Sequence, residues 1–418
     1  MNYFNNDIKY QGGIQMKYIV ILGDGMADYP VEELGGKTPL EAAQKPAIDY
    51  LCAHGEVGLV SNVPENLSPG SDVANLSAMG YDPQKYYSGR SPLEAVSIGV
   101  DMKETDIVFR CNVVTVSEEQ ENYEDKIIID HSADEITTEE AAQLIETIQQ
   151  HMGNDMFRFY PGVSYRHALV WDKGGERLTL TPPHDILERR IGDYLPKGDD
   201  SAMLYDMMKR SYDILNNHPV NIARAERGLK KANTIWIWGE GKKPMLDSFE
   251  NKFGIKGSVI SAVDLIKGIA LCAGMESIDV EGATGNVHTN FDGKAKAAID
   301  AIRRGSDYVY IHMEAPDECG HRHEIENKVK SIELIDSKVV SYIKDEMDKM
   351  GEPYRILVLP DHPTPLCLRT HTRDAMPYII YDSTNPVDSG IESYTEANAA
   401  KTGIKIDKGY TLIDRFIK

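Results

Sequence analysis

The run Tyr354–Arg355–Ile356–Leu357–Val358–Leu359 passes directly into Pro360–Asp361–His362. An aliphatic run of this kind suits a parallel strand buried on both faces, because a half-exposed strand would alternate. Its abrupt end in an acid and an imidazole constrains the chain further. In open α/β sheets ligands bind beyond the carboxyl ends of the strands. Asp and His at such an end suit a divalent cation that takes oxygen and nitrogen donors. A further imidazole, His371, follows in Thr370–His371–Thr372. Taken alone, the same residues would also serve as a polar strand-to-loop turn.

The pattern recurs. Lys17–Leu22 is apolar and runs into Gly23–Asp24–Gly25–Met26. Tyr308–Met313 runs into Glu314–Ala315–Pro316–Asp317–Glu318–Cys319–Gly320–His321, where Asp317 and His321 would share one face of a helical turn. In Ser68–Pro69–Gly70–Ser71, Pro and Gly make a tight turn that places Ser71 at or near a helix N-cap, with Gly80 closing the short helix. A capping serine is the plain reading. The chemical one is a nucleophile where helix N–H groups stabilise an alkoxide and a phosphate. Three strand ends and one helix start thus deliver metal-type residues to one rim. Acids and imidazoles without thiolates favour Mn²⁺ or Zn²⁺ over Ca²⁺. Two such sets suggest two ions, which clamp the attacking and leaving oxygens of a displacement at phosphorus and activate a serine hydroxyl.

Composition sets the surroundings. At 418 residues the chain exceeds one compact core, so two domains are expected. Lys plus Arg number 45 against 66 Asp plus Glu, a net charge of −21, which argues against nucleic acid and anionic membrane as partners. The 5 cysteines are scattered and lack a Cys-x-x-Cys pair, so a reducing, cytoplasmic compartment fits better than disulfides or structural zinc. No apolar run approaches membrane-spanning length. Residues 1–15 are polar and read as a disordered extension ahead of the first strand, or as the product of an upstream start codon. The oligomeric state is not legible.

The texture changes near Asp106. Short strands at Ile107–Val116, Lys126–Ile129, Phe157–Tyr160 and His167–Trp171 surround one helix from Thr137 to about Met152. Pro182, Pro183, Pro196 and Gly198 mark the exit. This predicts a small α+β module, 106–195, inserted into an α/β core made of 16–105 and 196–418. The α/β rhythm returns afterwards, with a long helix expected over Glu326–Met350.

Gly23–Asp24–Gly25–Met26–Ala27–Asp28, the Ser71 turn, Glu314–His321, and Asp361–His362 with His371 together resemble the cofactor-independent phosphoglycerate mutases of archaeal type, within the alkaline phosphatase superfamily. The likeness runs over nearly the whole chain from Met16 and includes Asn217–Asn221 and Ile260–Gly268. It implies an alkaline-phosphatase-like, mostly parallel sheet sandwiched by helices. It implies a phosphoserine formed on Ser71, one metal held by Asp24, Ser71, Asp361 and His362, and a second held by Asp317, His321 and His371. Mn²⁺ is the expected ion, with Zn²⁺ or Mg²⁺ as alternatives. Arg90 is similar to a position near the substrate. Arg110, Arg166 and His167 in the insert suit the carboxylate or phosphate of a small phosphorylated acid. Lys294 is a weaker candidate for the same role and reads first as a solvated lysine at a helix start.

The implied activity is interconversion of 3-phosphoglycerate and 2-phosphoglycerate without 2,3-bisphosphoglycerate, with an enclosing insert that keeps water out. One departure bears on the substrate. Where archaeal-type members carry a Ser-Ala-Gly-His-like run, this chain has Ser132–Ala133–Asp134–Glu135, two carboxylates in place of a neutral or weakly basic loop. The alternatives are a homoserine kinase, the activity proposed for a bacterial subgroup, and a plain phosphomonoesterase. No Gly-x-x-x-x-Gly-Lys-Ser/Thr loop or protein-kinase motif set supports a kinase.

Overall fold

A computed structural model describes residues 15–175 and 177–418. The expectation for residues 1–15 falls, Gln15 aside, outside them. Two compact units form: one from the segments up to Lys85 and from Asp247–Lys418, the other from Tyr86–Leu246.

The first unit is built on β1 (Lys17–Gly23), β2 (Glu56–Val60), β3 (Gly257–Ile260), β4 (Glu276–Ile278), β5 (Tyr308–Met313), β6 (Tyr354–Leu359), β7 (Met376–Asp382) and β8 (Lys405–Ile406). Their order across the sheet is β4-β3-β5-β1-β6-β7-β2-β8. The pairs β4/β3, β3/β5, β5/β1 and β1/β6 are parallel, as is β2/β8; only β7 runs against its neighbours β6 and β2. This is the mostly parallel α/β sandwich that the aliphatic runs predict, and the central strands are buried on both faces.

Strand periodicity sorts the two faces. Val309, Ile311 and Met313 of β5, with Ile19 and Ile21 of β1, join a core beneath the Phe291–Arg303 helix and the helical stretch Ile325–Met350. Tyr310 and His312 point to the other face, where the Tyr310 hydroxyl donates to Asn75 Oδ1 at 2.6 Å on the Ser71–Ala78 helix. The stretch expected as one helix over Glu326–Met350 is interrupted by a π-turn at Ile335–Val340. There Asp336 is buried and accepts the Ile48 N–H at 2.7 Å, satisfying an orphan donor in the first turn of the Pro46–Ala53 helix.

The second unit is an antiparallel five-stranded sheet. Asp106–Val116 pairs with Ile128–Asp130, Arg166–Asp172 and Thr234–Lys242, and Phe157–Tyr160 pairs with Arg166–Asp172. Helices Thr138–Met152 and Ser201–Leu215 contribute Leu144, Ile145, Ile148, Leu204 and Met208 to its core. The unit is wider than the 106–195 expected. Thr234–Lys242 continues through Gly239 and Gly241, which read as a strand-ending turn, and lies along the central strand. Upstream, Ala95, Val100 and Met102 pack on Val108, Ala168 and Val170.

Candidate metal centre

Parallel pairing brings the strand ends together. Leu22 and Gly23 lie level with His312 and Met313 of β5, and Leu22 lies level with Leu359 of β6. The residues just beyond, Asp24, Glu314 and Pro360–Asp361–His362, therefore emerge side by side at the carboxyl edge. Next to them the Ala315–Arg322 helix carries Asp317 and His321, and the Ser71–Ala78 helix begins with Ser71 as its first helical residue after an extended Gly70.

Two groups of donor atoms result, Asp24/Asp361/His362 and Asp317/His362/His371, each with its ligand atoms within 4.8 Å of one another. Ser71 Oγ is 3.2 Å from His362 Nε2. His321 Nε2 is 3.3 Å from Asp317 and 2.9 Å from His371 Nε2. All seven expected metal-type residues, Asp24, Ser71, Asp317, His321, Asp361, His362 and His371, thus converge in the first unit.

Hydrogen bonds fix which imidazole nitrogen faces inward. His321 Nδ1 donates to the Arg369 carbonyl at 3.0 Å, and His371 Nδ1 donates to the Pro69 carbonyl at 2.7 Å. A carbonyl only accepts, so each Nδ1 carries the hydrogen and each Nε2 lone pair points at the other. A proton or a cation must lie between them. Asp317 raises His321 to about 9 through their hydrogen bond. Burial pushes Asp317 up, but the hydrogen bond from His321 and the neighbouring imidazoles overcome this and hold it well below the carboxylate range. Asp24 moves the other way, because burial and the charges of Asp361 and Asp317 raise it. Its Oδ1 is buried without a hydrogen-bond partner. An orphan carboxylate oxygen among acids and inward lone pairs is what a divalent cation satisfies.

Some supporting residues escape a sequence reading. Asn75, one turn after Ser71, donates to Asp361 Oδ2 at 2.8 Å and to the Ser71 carbonyl at 2.9 Å; its spacing was the available signal. His312 is wholly buried and lies 2.9 Å from Asp24 Oδ2. Its place one residue before a strand end gave little hint. Lys294, expected at the surface, is 0% exposed. Its Nζ donates to the His312 carbonyl at 3.1 Å, and burial pushes it down to about 8. The helix start it occupies is folded under β5, which helical periodicity cannot reveal.

The substrate-type residues of the second unit fare differently. Arg90 and Arg110 both bind Glu94, the former at 2.9 Å, and Arg110 also lies 4.6 Å over the Trp238 ring. Arg166 is exposed and lies beside the Tyr165 ring. His167 is 4% exposed and accepts the Gly162 N–H at 3.0 Å, so it serves the packing of its own turn. The acidic pair does not add two free charges. Lys230 binds Asp134 at 2.6 Å and Asp130 at 2.8 Å, and this pairing lowers Asp134.

Residues 52–221 match the family model described as 2,3-bisphosphoglycerate-independent phosphoglycerate mutase. A probable 2,3-bisphosphoglycerate-independent phosphoglycerate mutase from Geobacter sulfurreducens is 48% identical over 96% of this chain and 100% of its own length. The enzyme of that name from Methanosarcina barkeri is 47% identical with the same coverage. The chain belongs to the 2,3-bisphosphoglycerate-independent phosphoglycerate mutase family. Among solved structures, the PH0037 protein of Pyrococcus horikoshii superposes with a TM-score of 0.81 at 28% identity over 97% of both chains. The cofactor-independent phosphoglycerate mutase of Thermoplasma acidophilum shares the fold, with a TM-score of 0.68 at 24% identity over 96% of this chain and 99% of that one. Among the described residues no helix is long and apolar enough to cross a membrane, and all five cysteines are free.

Proposed function

We propose that this member of the phosphoglycerate mutase family interconverts 3-phosphoglycerate and 2-phosphoglycerate through a phosphoserine on Ser71, using two divalent ions, Mn²⁺ foremost. The observation that carries the reading is Ser71 Oγ at 3.2 Å from His362 Nε2, on the residue common to both acidic groups. Asp24, Asp361, His362 and Ser71 would hold one ion, and Asp317, His321 and His371 the other. Such ions supply the positive charge that makes a serine oxygen nucleophilic at neutral pH and offsets charge on a phosphoryl group.

The protein's own groups do the rest. Ser71 begins its helix, so the first-turn N–H groups and the helix dipole face phosphoryl oxygens. Ser71 Oγ forms a bond to phosphorus as the bond to the substrate oxygen breaks, and that oxygen leaves as the glycerate hydroxyl once protonated. The other hydroxyl then attacks phosphoserine and frees Ser71 Oγ. For the carboxylate the reading offers Arg90, Arg110 and Arg166, on resemblance alone; burial removes His167 from that role. Free cysteines fit a cytoplasmic location. Conversion of 3-phosphoglycerate, coupled to enolase and run with Mn²⁺ but without ATP or 2,3-bisphosphoglycerate, tests the reading. Conversion that stops on chelation and returns with Mn²⁺ is expected. Phosphate release alone, or transfer from ATP to homoserine, would overturn it.

A further inference from the structure

Thr364 lies where three catalytic segments meet. Its Oγ1 donates to Asp317 Oδ1 at 2.5 Å, and His362 Nδ1 lies 3.3 Å from Thr364 Oγ1. With its hydrogen committed to a carboxylate, the hydroxyl accepts from His362 Nδ1–H. That leaves His362 Nε2 bare towards Ser71. One hydroxyl therefore orients a ligand from each acidic group.

The surroundings are shaped to hold it. A Cβ on Gly25, where φ is +62°, would lie 2.5 Å from Thr364 Oγ1 and 2.7 Å from Asp317 Cα. A Cβ on Gly320 would strike the Thr364 carbonyl oxygen and lie 2.8 Å from its methyl group. Both glycines of the Gly-Asp-Gly and Cys-Gly-His runs make room for this one side chain. The carbonyl is also gripped from beneath. Lys328, fully buried, donates to it at 2.8 Å and to Asp28 Oδ2 at 2.7 Å, and Asp28 in turn accepts the Leu366 N–H at 3.1 Å. A buried ion pair costs more in desolvation than a surface one returns. Here it fixes the backbone on both sides of Pro365.

We propose that Thr364, clamped by the Lys328–Asp28 pair, is the positioning residue that sets the geometry of both metal groups at once. This rests on the two-ion reading above. The test is Mn²⁺ binding by calorimetry, with kcat and KM for 3-phosphoglycerate, on wild type and on Thr364→Val, Thr364→Ala and Thr364→Ser. The Ala and Ser variants differ only in the hydroxyl, so their comparison holds even if the Val variant does not fold. Loss of the hydroxyl is expected to weaken both ions, each about 10–100-fold, and to lower kcat with KM little changed, while Thr364→Ser keeps both ions. Wild type binding two ions, with the Ala variant binding them equally well, overturns the positioning role alone. Equal loss in the Ser variant does the same, because the methyl group and not the hydroxyl would then matter. Wild type that binds no Mn²⁺ overturns the two-ion reading and this role with it.

Discussion

At the scale of single residues, the site holds charge that the fold does not need. Asp24 is buried beside Asp361 and Asp317, and its Oδ1 has no hydrogen-bond partner. Asp24→Asn is therefore expected to raise the melting temperature of chelated protein while abolishing its gain on adding Mn²⁺; a variant that melts lower in both conditions would show that the carboxylate is structural. Ser71→Ala removes one hydroxyl whose recorded partner is His362. It should eliminate phosphoglycerate turnover and cost only about 1 kcal/mol in urea unfolding. Turnover within tenfold of wild type would exclude the covalent step. Asp24, Asp361 and His362 were visible in the sequence because they end apolar runs, and Ser71 because it opens a helix; Asp317 and His321 showed by sharing a helical turn, and His371 only by following His362 closely and by the family resemblance. The residues behind them were not visible. Lys294 and His312 depend on what folds over them, and Thr364 looks like one more turn residue until Gly25 and Gly320 close around it.

Among the elements, the turn at Ala133–Glu135 carries the two carboxylates that the family resemblance leaves unexpected. Its three residues have φ of 50°, 56° and 49°, the left-handed region that glycine adopts at least cost. Asp134 is retained there by Lys230, whereas Glu135 uses only its backbone N–H, bonded to Ser132 Oγ at 3.3 Å. Glu135→Gly should stabilise the protein by about 1 kcal/mol in urea unfolding, and Asp134→Gly should not. The pairing also sets an acid limb. Asp130 and Asp134 are held below their unfolded pKa of about 4. Their contribution is complete above that value and is lost as pH falls through the depressed values. Lys230→Met should flatten the loss of stability below about pH 4; an unchanged acid limb would mean that the pairing adds nothing. Strands were readable here from their apolar runs. The reach of Thr234–Lys242 was not, because its glycines mimic a turn. The π-turn at Ile335–Val340 was not either, because Asp336 answers a donor on a different helix.

For the whole molecule, bound ions and folding are linked. If Asp24, Asp317 and their neighbours bind Mn²⁺ only when assembled, an ion at a hundred times its Kd adds about 2.7 kcal/mol. Thermal melts with EDTA should fall accordingly and recover on readdition, and coincident curves would argue against a native ion site. The strand order has a consequence for how the protein is made. On the order of 300 residues separate β1 from β5, its first neighbour to be synthesised. At about 5–20 residues per second, the ribosome leaves that apolar strand without a partner for tens of seconds. The Tyr86–Leu246 unit, by contrast, is contiguous and has all its strands once Thr234–Lys242 emerges. A nascent chain thus carries a finished internal unit behind an aliphatic leading segment that must be shielded until Tyr308–Met313 and Tyr354–Leu359 appear. A message truncated anywhere before His371 yields no complete centre, since Asp361, His362 and His371 are the last of its donor residues to be translated and His362 is common to both donor groups.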